Sequence, residues 1–128
     1  VALHTGARAL EILSAQEETP LLADVLRWQG SVLRDRGQTG DAEALYKQSL
    51  DLATGLNYDA GRAHALNCLG GLAQRRGDID GASETFAKAL ALADRCGDVA
   101  LTGMVEQNLG ILASIRGDAV AALEHYRR

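Results

Sequence analysis

The closest approach to a catalytic pair in this sequence is a histidine placed four residues before a cysteine. Within a helix, His64 and Cys68 would share one face, where the imidazole could act as a base and activate the thiol as a nucleophile. At helical spacing such a pair is usually a coincidence. We therefore predict that the protein is not an enzyme.

Other residues that could bind a metal ion or a phosphate lack the necessary spacing. The histidines His4, His64 and His125 are scattered, without cysteine or acidic residues at metal-ligand intervals. Gly70 and Gly71 invite comparison with a phosphate-binding loop, but they fall within a helical pattern and no strand precedes them. We predict no metal site and no cofactor.

The composition favours closely packed helices in one domain. Of the 128 residues, 47% are apolar but only 4% aromatic, whereas sheets favour aromatic and β-branched residues. The 13 basic and 17 acidic residues are interspersed and sum to a net charge of −4, which disfavours nucleic acid as a partner. No apolar run suits a membrane span, and the N-terminus lacks a signal pattern. We expect a soluble, cytoplasmic protein in which Cys68 and Cys96 are reduced and packed.

The sequence repeats itself every 40 residues. A shift by that interval superimposes identical residues in four columns and an aromatic residue in a fifth. The columns are Gly30, Gly70 and Gly110; Arg36, Arg76 and Arg116; Gly37, Gly77 and Gly117; Ala42, Ala82 and Ala122; and Tyr46, Phe86 and Tyr126. Three of the five aromatic residues thus share one phase, which indicates a structural unit that is used repeatedly.

Each repeat contains two helices separated by a glycine turn. Apolar residues within 65–73, and again within 82–93, follow the three-to-four spacing of a helix with a broad buried face. Between these segments Gly77 can form a left-handed C-terminal cap, and the Asp78 carboxylate can accept the free amides of the next helix. The second helix is expected to end near Gly97. Each repeat is therefore predicted to be a helical hairpin.

The joints between hairpins carry helix-start signals. Thr19 can cap a helix that begins with Pro20, where the missing amide costs nothing. Asp59 occupies the place of Thr19 one repeat later, and Asp98 lies one residue short of that place in the third repeat. We expect both aspartates to cap the helices that follow them, as Thr19 does.

These signals divide the chain into a half repeat over 1–18, repeats over 19–58 and 59–98, and a truncated repeat over 99–128. The predicted fold is all-α with about seven helices. Residues 2 to about 16 would form the second helix of a hairpin whose first helix is not part of the sequence. The chain would then be a piece of a longer array. Uncovered apolar residues near its start would favour end-to-end self-association; they are Val1, Leu3, Leu10 and Leu13.

The spacing of leucine, glycine, alanine and aromatic residues resembles the signature of the tetratricopeptide repeat family. The matching segments are Gly30 with Ala42 and Tyr46, Leu69-Gly70 with Ala82 and Phe86, and Leu109-Gly110 with Ala122 and Tyr126. The resemblance covers nearly the whole chain and implies a right-handed superhelix of antiparallel hairpins. The departures are a period of 40 rather than 34 residues and different residues at three motif positions. The tryptophan position holds Leu26, Leu66 and Glu106, the tyrosine position Leu33, Ala73 and Ala113, and the final proline position Thr54 and Asp94.

The glycine column predicts close contacts between helices. A glycine in the middle of a helix costs about 0.5–1 kcal/mol relative to alanine. Because glycine nevertheless occurs at this position in all three repeats, at Gly30, Gly70 and Gly110, neighbouring backbones are expected to approach each other closely there. We expect Ala82 to receive the bulk of the preceding helix and Phe86 to fill the space between successive hairpins.

The family resemblance also implies which side chains line the concave wall: those on one face of the first helix of each hairpin. The peptide-binding candidates are Arg27, Ser31 and Arg34; His64, Asn67, Gln74 and Arg75; and Met104, Gln107, Asn108 and Ile111. We refer to these residues as the inner row. They change from charged to amide to apolar along the array, which indicates a binding surface; the alternative is a face that contacts only solvent.

One segment of the inner row resembles the Leu-Asn-Asn-Leu segments that line the grooves of kinesin light chains and Pins-type adaptors. Asn67 matches the first asparagine of that pair and Asn108 the second, and such amides can pair with the backbone of an extended peptide. The carboxylate clamp of chaperone co-factors is not carried over. Arg27 could replace its first lysine, but other residues stand at its remaining positions; they are Ser31, Cys68, Met104 and Asn108.

The leading hypothesis is therefore a scaffold that binds a peptide or protein segment on the concave surface of the first helices. The alternative is a sensor or regulatory segment of a larger bacterial signalling ATPase or transcription activator, whose 40-residue repeats this chain also resembles. In that case the repeats would bind a small ligand or contact other domains of the same polypeptide.

Overall fold

The computed structural model describes residues 19–117 and 119–127, and for residues 119–122 it describes the backbone alone. These residues form six helices joined by short turns, and no strand occurs among them. The helices are α1 (Pro20–Asp35), α2 (Thr39–Gly55), α3 (Asp59–Arg75), α4 (Ile79–Cys96), α5 (Val99–Ile115) and α6 (Ala119–Arg127). Consecutive helices pack as antiparallel hairpins in a solenoid, which confirms the predicted all-α fold.

The helix expected over residues 2 to about 16 lies outside the described residues. The four apolar residues that favoured end-to-end self-association lie there too.

Three helices begin with the side-chain caps that the sequence predicts. Thr19 Oγ1 accepts a hydrogen bond from the amide of Leu22 at 3.2 Å, and Pro20 is the first residue of α1. The carboxylates of Asp78 and Asp98 accept the amides three residues ahead, both at 3.0 Å. These bonds satisfy amide groups that have no partner within the helix.

The prediction that Asp59 caps α3 is wrong. The capping position is Tyr58, which makes no side-chain cap, and Asp59 is the first residue of the helix. From there its carboxylate pairs with Arg62 at 3.0 Å and with Arg95 at 2.9 Å. The negative charge still lies where the helix dipole favours it, but it also ties the start of α3 to the end of α4.

Each turn between helices contains one residue with a left-handed backbone. Gly77 and Gly97, with φ of +84° and +71°, end α3 and α4, as the sequence predicts, and Gly37 and Gly117 have the same geometry. Asn57 takes this role after α2, with φ of +55°. Asparagine tolerates this region better than most residues do.

The three column glycines lie in matching environments, each beneath the aromatic ring of its own hairpin. A Cβ atom on Gly70 would stand 2.6 Å from the ring of Phe86, and a Cβ on Gly30 would stand 3.0 Å from the ring of Tyr46. A Cβ on Gly110 would stand 2.9 Å from Tyr126. The repeat register is therefore confirmed. An aromatic ring occupies the space that each glycine leaves, and at Gly30 a neighbouring backbone also comes close, since the Ala42 carbonyl oxygen lies 3.2 Å from the Cβ position.

The core is continuous from one hairpin to the next. Ala82 and Phe86 of α4 have no exposed surface, and they belong to one apolar cluster with Leu101 and Val105 of α5. Leu72 of α3 similarly joins a cluster with residues of the first hairpin. Phe86 thus packs on Gly70 within its own hairpin and also lies in the layer between hairpins. The prediction named only the space between successive hairpins and was therefore incomplete.

Candidate functional site

The inner row is held together by contacts between the first helices of successive hairpins. Asn108 Nδ2 of α5 donates a hydrogen bond to Asn67 Oδ1 of α3 at 2.9 Å. Cys68 of α3 packs against the apolar cluster that contains Tyr46 of α2, and the Tyr46 hydroxyl shares a hydrogen bond with Ser31 of α1. The structure therefore places α1, α3 and α5 side by side, with inner-row residues at their contacts.

The paired amides keep hydrogen-bonding capacity for a ligand. Asn67 uses its oxygen and Asn108 one of its N–H groups in the bond between them. An amide side chain offers two donors and an acceptor with two lone pairs. Both N–H groups of Asn67 and the oxygen of Asn108 therefore remain beside each other, as one donor site and one acceptor site.

A polar network fixes Arg27 at one end of the inner row. The Tyr58 hydroxyl lies 3.1 Å from each carboxylate oxygen of Asp24, to which it donates. The same carboxylate lies 3.4 Å from Arg27 Nη1, and the Arg27 side chain is only 12% exposed. Because Asp24 is held by a tyrosine from the next hairpin joint, the guanidinium is positioned by tertiary structure.

His64 lies beside the aspartate that caps α5. Its Nε2 atom lies 3.9 Å from Asp98 Oδ2. Burial, together with the positive charge of Arg27, lowers the pKa of His64, although the carboxylates of Asp98 and Asp24 oppose that change. The imidazole is therefore favoured in its neutral form, which can donate or accept one hydrogen bond.

Cys68 lacks the properties of an activated nucleophile. Burial raises the pKa of its thiol, and the charges of Arg27 and Arg34 only partly offset that effect. A reactive cysteine needs a lowered pKa, because the thiolate is the attacking species. The thiol instead packs beside Ser31 and Tyr46, whose hydroxyl groups share a hydrogen bond of 2.9 Å.

The internal repeats contain a signal for the Ser31–Tyr46 bond that sequence analysis missed. Where the aromatic column holds Tyr46, the inner row holds a hydroxyl at Ser31; where the column holds Phe86, the corresponding position is Gly71. Tyr46 has no exposed surface, and burial raises the pKa of its hydroxyl. A buried hydroxyl needs a hydrogen-bond partner, which Ser31 supplies. The third hairpin has Tyr126 with Ile111 at these positions, but Tyr126 is 52% exposed and its hydroxyl needs no such partner.

The remaining inner-row residues differ in how open they are. Gln74 and Ile111 are half-buried, Arg75 and Gln107 are exposed, and Met104 is 50% exposed. Arg34 donates two hydrogen bonds to the carboxylate of its neighbour in the chain, Asp35. Among the described residues, no hydrogen bond or ion pair joins another helix to the side chains of Gln74, Arg75, Met104, Gln107 or Ile111. Their use by a ligand stays a prediction.

A buried contact between a carboxylate and an imidazole, outside the inner row, was not predicted. Glu106 of α5 is 2% exposed, and its carboxylate contacts His125 Nδ1 of α6. The corresponding residues of the earlier hairpins are Leu26 and Leu66. A charged residue in an otherwise leucine column could have signalled a partner, because buried charges in proteins are paired.

A surface cleft of about 410 Å³ lies away from the inner row, where α4 meets α5. Its lining includes Val99, Gly103 and Glu106. The residue one repeat before Gly103 is Ala63, which is wholly buried in the cluster that contains Ala89 of α4. The same position is thus a helix-packing position in the second hairpin, and we assign no ligand to the cleft.

Two searches of the described residues were negative. Within 19–117 and 119–127, no three His, Cys, Asp or Glu side chains come together as a metal site would require. None of the described helices combines the length and apolar character needed to cross a bilayer.

Comparisons with known proteins agree with the hairpin architecture. The transcriptional activator NprA of Geobacillus stearothermophilus is 35% identical over 72 residues, which are 56% of this chain but 18% of NprA. The crystal structure of BtubC (BKLC) from P. vanneervenii matches with a TM-score of 0.85, covering 98% of this chain and 53% of that one. At 23% identity this second match shows a shared fold.

A comparison with models of protein families matches the second and third hairpins together. The tetratricopeptide repeat model matches residues 61–128, which is more than half of the chain. With the glycine and aromatic columns in matching environments, this match shows that the chain belongs to the tetratricopeptide repeat family.

Proposed function

We propose that this chain binds an extended segment of a partner protein along the inner row. The observation that carries the proposal is the hydrogen bond between Asn67 and Asn108. It aligns a free N–H pair and a free carbonyl oxygen side by side on two helices. A peptide backbone also presents a carbonyl and an amide side by side. Asn67 can therefore donate a hydrogen bond to a backbone carbonyl, and Asn108 can accept one from a backbone amide.

Preorganisation supports the same proposal. Asn67 is held by Asn108, Ser31 by Tyr46, and Arg27 by Asp24. Ordering a flexible side chain during binding costs about 0.5–1.5 kcal/mol, and these three side chains are already ordered. Noncovalent capture, with helices as a rigid frame, is the activity that such an arrangement supports.

A peptide-display selection tests this function without knowledge of the natural partner. The probe is a phage-displayed library of random peptides of about twelve residues, long enough to cross three helices in extended form. We expect the wild-type chain to enrich specific peptides. The Asn67→Ala/Asn108→Ala variant should bind those peptides at least about tenfold more weakly, because two hydrogen bonds are removed.

The control variant is Gln48→Ala/Lys88→Ala, which removes exposed polar groups from the second helices. It should bind the selected peptides like wild type. Circular dichroism must show that both variants are folded. Loss of binding in the control with retention in the asparagine variant, or no enrichment at all, would contradict binding along the inner row.

The NprA match favours a second candidate, a regulatory segment of a larger bacterial transcription activator. Similarity over 72 residues, at 35% identity, falls within a relative that is named for activating transcription. In this case the inner row would bind an effector or another domain of the same polypeptide. The complete reading frame of the parent gene tests this candidate: an attached DNA-binding or nucleotide-binding domain supports it, and repeats alone contradict it.

A further inference from the structure

We infer that residues 2–16 of this chain dock as an amphipathic helix on a stripe of apolar side chains along α1. The stripe, which we call the α1 stripe, consists of Leu21, Val25, Trp28 and Val32. The inference does not depend on the proposed function, and its test uses no ligand.

The α1 stripe has helical spacing and is open. Its residues follow one another at intervals of four, three and four positions, which places them on one face of α1. Leu21 and Trp28 are 51% and 54% exposed, and Val25 and Val32 are half-buried. A row of one indole and several aliphatic side chains is an apolar surface of the kind that binds another element.

The third hairpin shows what covers such a face. A shift of two repeats places the α1 stripe on four residues of α5: Leu101, Val105, Asn108 and Leu112. The three apolar ones are at most 1% exposed, and they share one cluster with residues of α4. The helix that precedes α5 in the chain therefore covers its stripe. The segment that precedes α1 is residues 1–18.

Residues 2–16 have the pattern of a covering helix. The 40-residue period aligns four of them with residues of α4 that have no exposed surface. The aligned pairs are Ala2 with Ala82, Gly6 with Phe86, Ala9 with Ala89, and Leu13 with Ala93. The polar residues Arg8, Glu11 and Ser14 align instead with exposed positions of α4. The segment thus combines one apolar face with one polar face.

Side-chain volumes match where Trp28 would meet the segment. In α3 the counterpart of Trp28 is Cys68, which packs against the cluster that contains Tyr46 of α2. One repeat before Tyr46 the sequence has Gly6. A small residue thus faces a ring where α3 meets α2, and a ring would face the smallest residue where α1 meets residues 2–16. Trp28 would fill the space that the absent column aromatic leaves, which keeps the packing dense.

The length of the connection favours this segment over a second copy of the chain or a partner helix. Residues 17–19 separate it from Pro20, just as residues 56–58 separate α2 from α3. A connection of that length joins antiparallel neighbours. It also keeps the segment beside the α1 stripe at a high effective concentration, which a separate molecule lacks.

The fluorescence of Trp28 tests the docking in the complete 128-residue chain, because this chain contains one tryptophan. Leu13→Asp places a charge on the apolar face of the segment. We expect the acrylamide quenching constant of Trp28 to rise at least about twofold, since the indole loses its cover. The emission maximum should move to longer wavelength.

The matched control is Ser14→Asp, which adds the same charge one residue further on. Its counterpart in α4 is Asp94, which is exposed. This variant should quench like wild type. Equal quenching of wild type, Leu13→Asp and Ser14→Asp would overturn the inference. Wild-type quenching should also stay constant between about 1 and 100 μM chain; quenching that falls with concentration would assign the α1 stripe to a second copy and overturn it too.

An exchange of volumes tests the same contact with variants that keep the face apolar. Gly6→Phe restores the column aromatic and should lower the melting temperature by about 3–8 °C, because the new ring meets Trp28. Gly6→Phe/Trp28→Cys copies the pairing of Tyr46 with Cys68. It should melt at least about 3 °C above the value that the two single shifts add up to. Additive shifts would show that Gly6 and Trp28 are not in contact and would overturn the inference.

Discussion

The second and third hairpins close through the same glycine and aromatic pair but differ in how that pair is buried. Phe86 in α4 has no exposed surface, whereas Tyr126 in α6 is 52% exposed. The difference arises from the neighbouring helix, because α5 supplies Leu101 and Val105 to the cluster around Phe86. The repeat thus fixes how the two helices of a hairpin pack against each other. The next helix along the array determines how much of the aromatic ring is buried.

The two hairpins also differ beside the ring. The second hairpin places Leu66 and Thr85 where the third has Glu106 and His125. A buried carboxylate is costly unless it is paired, and in the third hairpin the contact between Glu106 and His125 joins α5 to α6. Equivalent positions in a repeat can therefore be stabilised by different kinds of interaction.

The largest effect should come from removing the two rings. Phe86→Ala is expected to destabilise the fold by about 3–5 kcal/mol, because it empties a fully buried site. Tyr126→Ala should cost about 1–2 kcal/mol, since half of its ring already contacts solvent. Urea denaturation followed by circular dichroism measures both. Equal costs would show that α5 adds nothing to the burial of Phe86.

The contact between Glu106 and His125 in the third hairpin gives the next effect. His125→Ala removes the imidazole partner of a carboxylate that is 2% exposed and should cost about 1–3 kcal/mol. The double change Glu106→Leu/His125→Thr copies the second hairpin and should be neutral or stabilising. Thr85→Ala is the matched single change in the second hairpin, expected within about 0.5 kcal/mol. If His125→Ala were as mild as Thr85→Ala, the contact would contribute nothing to stability.

Two adjacent glycines in α3 should respond with opposite signs. Gly70→Ala should cost about 1–3 kcal/mol, because the new Cβ would meet the immobile ring of Phe86, and Gly70→Leu should cost more. Gly71→Ala should stabilise the helix by about 0.5–1 kcal/mol, since no atom lies within 4 Å of its Cβ position. Gly110→Ala should be milder than Gly70→Ala, as the half-exposed Tyr126 ring can move. Melting temperatures that shift in the same direction for Gly70→Ala and Gly71→Ala would refute the packing assigned to this column.

The smallest effect concerns pH and involves His64 in the second hairpin. Because burial and Arg27 lower its pKa in the folded protein, the unfolded chain binds the proton more readily. Stability should therefore decrease as the pH falls through about 6.5, the ordinary value for histidine. His64→Gln should reduce this decrease, measured as the free energy of unfolding between about pH 8 and pH 5.5. Above about pH 8 the two proteins should respond alike, and identical slopes at low pH would contradict the assignment.

The sequence predicted the fold well because its signals are local. Glycine turns such as Gly77, the caps at Asp78 and Asp98, and the glycine–aromatic columns depend on residues only a few turns apart. A helix fixes the phase of such residues as soon as it forms. The one misplaced cap, at Asp59, differs by a single residue in the helix start, a shift to which the 40-residue alignment is insensitive.

The candidate site was predictable only as a set of residues on one face. The family resemblance placed Asn67 and Asn108 in the inner row, but they lie 41 residues apart rather than 40, and no alignment column brings them together. The same holds for Asp24 and Tyr58, which are 34 residues apart. Such pairs depend on how far one helix is rotated and displaced along its neighbour.

The sequence by itself therefore determined the repeat, the hairpins and the turns, because each follows from helical periodicity and from backbone preferences of glycine, proline and aspartate. Only the tertiary structure decided which side chains meet: Asn67 with Asn108, Arg27 with Asp24, and Glu106 with His125. Those contacts are set by the packing angle and stagger of neighbouring helices, which the sum of many apolar contacts determines and no single spacing encodes.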